Sequence, residues 1–187
     1  MEPSPDEQTA KVFFALWPNA AERSHLAAWQ TPLQLLCGGR AMHAESLHGT
    51  LVFLGEVGTS RLEALQLAAQ EVNGERFELC FDTARYWGHN HIVYAAPSPL
   101  PQQLAQLVGM LEQSLIRHRF KFDNRAYKPH VTLLRNAHWT DAPLPELYTV
   151  RWQIQDFALM QSVPQDGLPG YQVLARFPLK ARGTQQI

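Results

Sequence analysis

The stretch "KPHVTLLR", Lys128 to Arg135, sets a histidine two residues ahead of a threonine inside a short apolar run. A second stretch, "LHGTLVFLG" from Leu47 to Gly55, repeats the arrangement, so His-x-Thr-Leu begins at both His48 and His130. Each stretch reads as a strand: short, apolar, and bounded by Pro or Gly. Along a strand, residues i and i+2 share a face, so His48 points with Thr50 and His130 with Thr132. Random placement of eight histidines and nine threonines in 187 positions gives about 0.4 His-x-Thr triplets, which makes two, each followed by Leu, more than background. A satisfied core histidine beside a β-favouring threonine would explain either motif alone. It is a weaker account of both together.

Working outward, 187 residues suffice for one generous domain or two small lobes sharing an interface. The chain is 45% apolar, so it can bury a core. No apolar run approaches the roughly 18 residues of a membrane helix, and the first residues lack the order of a signal peptide. Cys37 and Cys80 fit no metal spacing and are too few for a disulfide framework, which points to a cytoplasmic protein. A net charge of −1 excludes a protein that coats long nucleic acid by neutralising many phosphates. The segment before the second motif is different: Arg117, Arg119, Lys121, Arg125, Lys128 and Arg135 face a single Asp123. It reads as a solvated basic surface or as a site for one or two phosphates, and its place beside His130 favours the second.

Residues 1–9 are polar and Pro-containing and read as a loose leader, residues 10–182 as a single bilobal domain, and residues 183–187 as a frayed tail. Strands are expected at 11–17, 47–55, 77–82, 91–96, 130–135, 152–163 and 171–179. A helix opens at Asn19 with Glu22 and carries Leu26 and Trp29. A second opens on a Ser60/Glu63 capping box, carries Leu62, Leu65 and Val72, and is closed by Gly74. A third carries Leu100, Leu104, Leu107, Leu111 and Leu115. Residues 37–46 and 84–90 read as loops. The order implies α+β architecture with largely antiparallel sheets. A helix followed by a His-x-Thr strand occurs once in each half, which hints at duplication.

The pieces "LHGTLVFLGEV" and "YKPHVTLLRNA" resemble the two signature motifs of the two-histidine (2H) phosphoesterases, in particular their bacterial RNA 2′,3′-cyclic phosphodiesterase branch, historically called 2′-5′ RNA ligases. "VFFALWPNAAERSHLAAW", "GGRAMHAESLH", "NRAYKPHVTLLR" and "FALMQSV" with "YQVLARFPL" are similar to further family segments, in the same order. Gly49 departs from the bulky residue usual between His and Thr, and Ala41 from the aromatic common after Arg40.

The resemblance implies two related, mostly antiparallel sheets facing across a central cleft, with helices outside. It implies His130 as general base toward water and His48 as general acid toward the ribose 3′-oxygen, although the symmetry of the motifs alone allows the reverse. Thr50 and Thr132 would donate to the phosphate oxygens, Arg135 would make a bidentate contact, and Phe53 would stack on the terminal base. Arg40, Arg125 and Tyr127 match further family positions. The reaction implied is hydrolysis of RNA 3′ ends bearing 2′,3′-cyclic phosphate, tRNA halves or cyclic nucleotides among them, to 2′-phosphomonoesters. Weak 2′-5′ ligation would be the reverse, in a cytoplasmic monomer without metal or cofactor.

Chemistry states the same demand independently. Water must attack phosphorus in line with the departing oxygen, so one group takes a proton on one side and another gives one opposite. Imidazole suits both duties, with an unperturbed pKa of about 6.5. Two alternatives stay open: the same chemistry on a small cyclic nucleotide or ADP-ribose cyclic phosphate, and a non-catalytic RNA-binding module using Phe53 and the basic segment. The His89/His91 pair lacks the further ligands a metal needs. One conflict stands: Arg135 and Phe53 lie five residues after their histidines, an odd offset that puts them on the opposite face of a regular strand unless twist or a bulge intervenes.

Overall fold

The structure is a computed structural model that describes residues 7–183. Of the expected leader and tail, residues 1–6 and 184–187 lie outside the described residues. In chain order the elements are β1 Thr9–Leu16, α1 Ala20–Ala27, α2 Gln30–Cys37, β2 Arg40–Ala41, β3 Gly49–Gly58, α3 Leu62–Gln70, β4 Phe77–Trp87 and β5 Ile92–Pro97. Then come α4 Gln102–Arg117, β6 Val131–Arg135, β7 Val150–Ile154, β8 Asp156–Ser162 and β9 Tyr171–Pro178. The strands form two sheets, one of four in the order β3-β1-β8-β9 and one of five in the order β2-β6-β5-β4-β7. All their pairings are antiparallel, the α+β class expected. Each histidine motif runs into a strand that pairs with the strand before its helix: β3 with β1, and β6 with β5.

Local chemistry explains most of the helices. Asn19 and Glu22 close a reciprocal capping box on α1, with Glu22 N–H donating to Asn19 Oδ1 at 2.8 Å. Leu104, Leu107, Leu111 and Leu115 form the buried stripe of α4, while Leu100 precedes the helix and is exposed. The expected Ser60/Glu63 capping box does not form: a 3-10 turn over Thr59–Arg61 leads into α3, and the Ser60 hydroxyl bonds Glu7 instead. Helix α3 ends at Gln70, before Gly74, whose place is set by close approach: a Cβ there would lie 2.8 Å from Leu179.

The sequence reading has no separate helix over α2, which contains Pro32. Pro32 falls in the first turn, where a missing N–H costs nothing. Buried Gln30 ties α2 inward by donating to the Met42 and Leu133 carbonyls at 2.8 and 3.0 Å. Strand β4 extends through residues expected as loop, so the turn is confined to 88–91. The run 152–163 is two strands rather than one: β7 joins the five-stranded sheet and β8 the four-stranded sheet, parting at Gln155. An apolar alternation shows a strand but not a change of partner.

The main core takes residues from both sheets and from α1–α4. Two smaller apolar clusters lie on other sheet faces. One is Phe13, Ala15, Ala158 and Met160 with Trp17 and Tyr171; the other is Ile92, Tyr94 and Ala96 with Trp87. These two faces carry the histidines. No helix among the described residues is long and apolar enough to cross a membrane.

Candidate active site

A cavity of about 320 Å³ is lined by Lys11, Phe13, Met42, Ser46, His48, Thr50, Phe53, His130, Thr132, Arg135, Ser162 and Tyr171. Both motifs therefore open into one space. His48 and Thr50 do share a face, with His48 Nε2 3.1 Å from Thr50 Oγ1.

The odd-offset conflict is resolved by bulges. On β3, Ala15 pairs with Thr50 and Phe14 with Val52, leaving Leu51 as an extra residue; on β6, Tyr94 pairs with Thr132 and Val93 with Leu134, leaving Leu133 extra. An extra residue shifts the alternation by one, so Phe53 returns to the face of Thr50 and Arg135 to the face of Thr132. Leu51 and Leu133 are themselves buried in the main core. The recurring leucine after each threonine thus anchors the bulge that turns the motif toward the cleft.

The imidazoles are held alike. His48 Nδ1 lies 2.7 Å from the Ser46 carbonyl, and His130 Nδ1 lies 2.7 Å from the Lys128 carbonyl. A carbonyl only accepts, so Nδ1 carries the proton in both rings, and Nε2 is the atom left for chemistry. The surroundings differ. His48 packs against Trp17, Phe13 and Tyr171, each with its ring centroid 5.3 Å away, and Trp17 carries the Arg23 guanidinium at 5.4 Å. His130 packs against Trp87 at 4.6 Å and Tyr94 at 5.8 Å. Burial, followed by the nearby positive charges of His130 and Arg135, pushes His48 down to about 4. Burial and then Arg135 also lower His130. Burial thus favours the neutral form of both rings.

Phe53 is 39% exposed with Lys11 Nζ 5.8 Å above its ring, an apolar platform with a cation beside it. Arg40, Arg125 and Tyr127 are not among the cavity-lining residues. Arg40 pairs across from Arg135 on the sheet edge, Arg125 is exposed and bound to Asp123 at 2.9 and 3.0 Å, and Tyr127 packs on the main core, where burial raises its hydroxyl. The basic segment is partly neutralised, since Glu71 takes both Arg117 at 3.1 Å and His118 at 2.8 Å. It is also tied to the cleft, with Asp123 N–H donating to the Phe53 carbonyl at 2.8 Å. Gly49 is buried, yet an added Cβ would meet nothing closer than 3.9 Å.

Sequence reasoning misses Lys11, Phe13, Met42, Ser46, Ser162 and Tyr171. Only Lys11 carries a signal, a cation opening an otherwise apolar strand; Ser162 and Tyr171 are unremarkable until β8 and β9 return to the first sheet. Among the described residues, no group of three or more His, Cys, Asp or Glu is placed to hold a metal ion. His91 donates from Nδ1 to the Tyr86 hydroxyl at 2.9 Å, and that hydroxyl donates to the Ala137 carbonyl at 3.0 Å.

Comparison with known proteins matches residues 17–166 to the family model of the 2′-5′ RNA ligase superfamily. The RNA 2′,3′-cyclic phosphodiesterase of Escherichia coli is 31% identical over 169 residues, 90% of this chain and 96% of that one. The protein of the same description from Thermus thermophilus is 26% identical over 94% of each. The crystal structure of E. coli LigT complexed with 3′-AMP superposes with a TM-score of 0.83 at 31% identity, covering 92% of this chain and 99% of that one.

Proposed function

The chain belongs to the 2′-5′ RNA ligase superfamily, and from that premise we propose that it hydrolyses RNA 2′,3′-cyclic phosphate ends to 2′-phosphomonoesters by metal-independent acid–base catalysis in the cytoplasm. Residues 10–182 act as one catalytic domain. The observation that carries the reading is the pair of Nδ1-anchored imidazoles, one from each sheet, opening into one cavity.

Roles follow from where a nucleoside fits. The apolar lining, Phe13, Met42, Phe53 and Tyr171, lies largely on the His48 side. The leaving 3′-oxygen stays attached to that nucleoside, so the histidine beside it is the one suited to protonate it. This supports His48 as acid and leaves His130 to take the proton from water on the far side of phosphorus. Thr50, Thr132 and Arg135 steady the non-bridging oxygens as charge develops. The phosphate anion also brings a negative charge that favours imidazolium at His48.

The weak reverse reaction joins a 5′-hydroxyl to the same phosphorus. A second reading, a small cyclic nucleotide as substrate, is favoured by the pairing of Arg117 and Arg125 with carboxylates, which leaves the basic segment less able to hold a strand. Hydrolysis of a cyclic-phosphate oligonucleotide and of a cyclic mononucleotide, compared in excess chelator with phosphorus NMR of the product, tests both. We expect a 2′-monoester and a higher kcat/KM for the oligonucleotide. A 3′-monoester, or activity restored only by added metal, would overturn the mechanism, and preference for the mononucleotide would favour the second reading.

A further inference from the structure

We propose that the sheet surface beyond His130 is a second nucleotide subsite for the 5′-hydroxyl strand that attacks the cyclic phosphate in place of water, with Arg85 on that strand's first phosphate and Trp87 against its terminal nucleoside. The proposal rests on the reading above, in which the nucleophile approaches on the His130 side.

The register places this surface. Arg85 pairs with Tyr94 and Tyr94 with Thr132, so the three lie in one row on one face of the sheet. Two strand spacings put the Arg85 backbone about 10 Å from that of Thr132. Trp87, two residues along β4 on the same face, meets the His130 ring edge-on at 4.6 Å and Tyr94 at 4.2 Å. Trp87 is only partly buried, so ring surface remains open to a ligand beyond its contacts with His130 and Tyr94.

Arg85 is exposed and has no hydrogen bond or ion pair among the described residues. Arg151, on β7 of the same sheet, is neutralised by Glu78. The other sheet offers an internal control: the row through Thr50 runs to Ala15 and Ala158 and ends at Arg176, which Asp156 holds at 3.1 Å. That row has alanines where this one has Tyr94 and Arg85, and its one cation is neutralised. That pairing of a stacking ring with a phosphate-binding guanidinium is how single strands are held.

The step balances without another reactant. The 5′-oxygen bonds phosphorus as the bond from phosphorus to the 3′-oxygen breaks; His130 Nε2 takes the 5′-hydroxyl proton and His48 gives one to the 3′-oxygen, leaving a 2′-5′ diester. Run backward, the same surface holds the departing strand.

The test titrates a 5′-hydroxyl trinucleotide into enzyme saturated with a 2′-mononucleotide, for wild type, Arg85→Lys and Arg85→Glu, alongside hydrolysis of a cyclic mononucleotide. Arg85→Glu raises the trinucleotide Kd tenfold or more and lowers the yield of 2′-5′-joined product in proportion. Arg85→Lys retains most of both, and hydrolysis stays within twofold of wild type throughout. Equal trinucleotide binding by wild type and Arg85→Glu, or no binding by wild type, overturns the subsite while leaving hydrolysis intact. Absence of hydrolysis in wild type would instead overturn the phosphodiesterase reading.

Discussion

The two histidine motifs repeat each other in the backbone and diverge in what surrounds them. Both anchor Nδ1 on the carbonyl two residues back, both open onto the cleft beside a threonine, and both bulge at the following leucine. Then they part. The residue two beyond the bulge is Phe53 in one and Arg135 in the other, and His48 sits among three aromatic rings where His130 has two. The repeat places two imidazoles in one cavity. On the proposed function, the divergence decides which side takes the nucleoside and which takes the charge and the nucleophile.

The strongest way to break this comparison is to remove the shared element from either side. His48→Ala and His130→Ala should each lower kcat by about 10²–10⁴, with product binding little changed and the double variant far from additive. A loss confined to affinity would show a binding module instead.

Next comes the residue where the sides differ. On the proposed mechanism Arg135→Ala removes a charge-assisted contact to the reacting phosphate and should lower kcat by about a hundredfold. Phe53→Ala removes a stacking platform worth about 1–3 kcal/mol and should raise KM about tenfold or more with kcat nearly kept. Matching effects of the two would show that the divergence has no functional meaning.

Protonation sharpens the contrast further. In free enzyme His48 must carry a proton although burial holds it to about 4, and His130 must be neutral with its own value below 6.5. The kcat/KM profile should therefore be a bell bounded within about pH 4 to 6.5. The kcat profile should lie at higher pH, because bound phosphate favours imidazolium. A monotonic rise with pH would contradict paired acid and base. The same shift affects stability: between pH 6.5 and 4 the unfolded chain binds a proton that folded His48 does not, so stability falls as pH falls. The full effect is about 3 kcal/mol. Chemical denaturation of His48→Asn should show a correspondingly shallower acid decline.

The smallest effects are expected at the supports. Arg23→Met keeps packing on Trp17 but removes its cation, and should move the His48 limb slightly upward in pH. Gly49→Ala should change stability and activity little, since the added methyl meets ordinary contacts. A large loss there would mean that the strand between His48 and Thr50 must flex.

Much of this is legible in the chain because the motif is local: a histidine, a threonine and a strand period set a shared face without tertiary information. The leucine is legible as a recurrence but not as a bulge anchor, since an extra residue is defined only by the partner strand. For that reason Phe53 and Arg135 stand on the wrong face of an ideal strand. Ser162 and Tyr171 are invisible, because they reach the cleft only through the return of β8 and β9 to the first sheet. The basic segment reads as more open to phosphate than it is, because Glu71, far away in sequence, neutralises part of it.

The most direct measurement pairs each histidine variant with a substrate whose 3′-oxygen is replaced by sulfur, a leaving atom that departs without a proton. His48→Ala should hydrolyse the sulfur substrate at close to the wild-type rate while remaining crippled on oxygen, and His130→Ala should fail on both. Rescue of His130→Ala, or of neither variant, would contradict the assignment of opposite proton duties to the two sides.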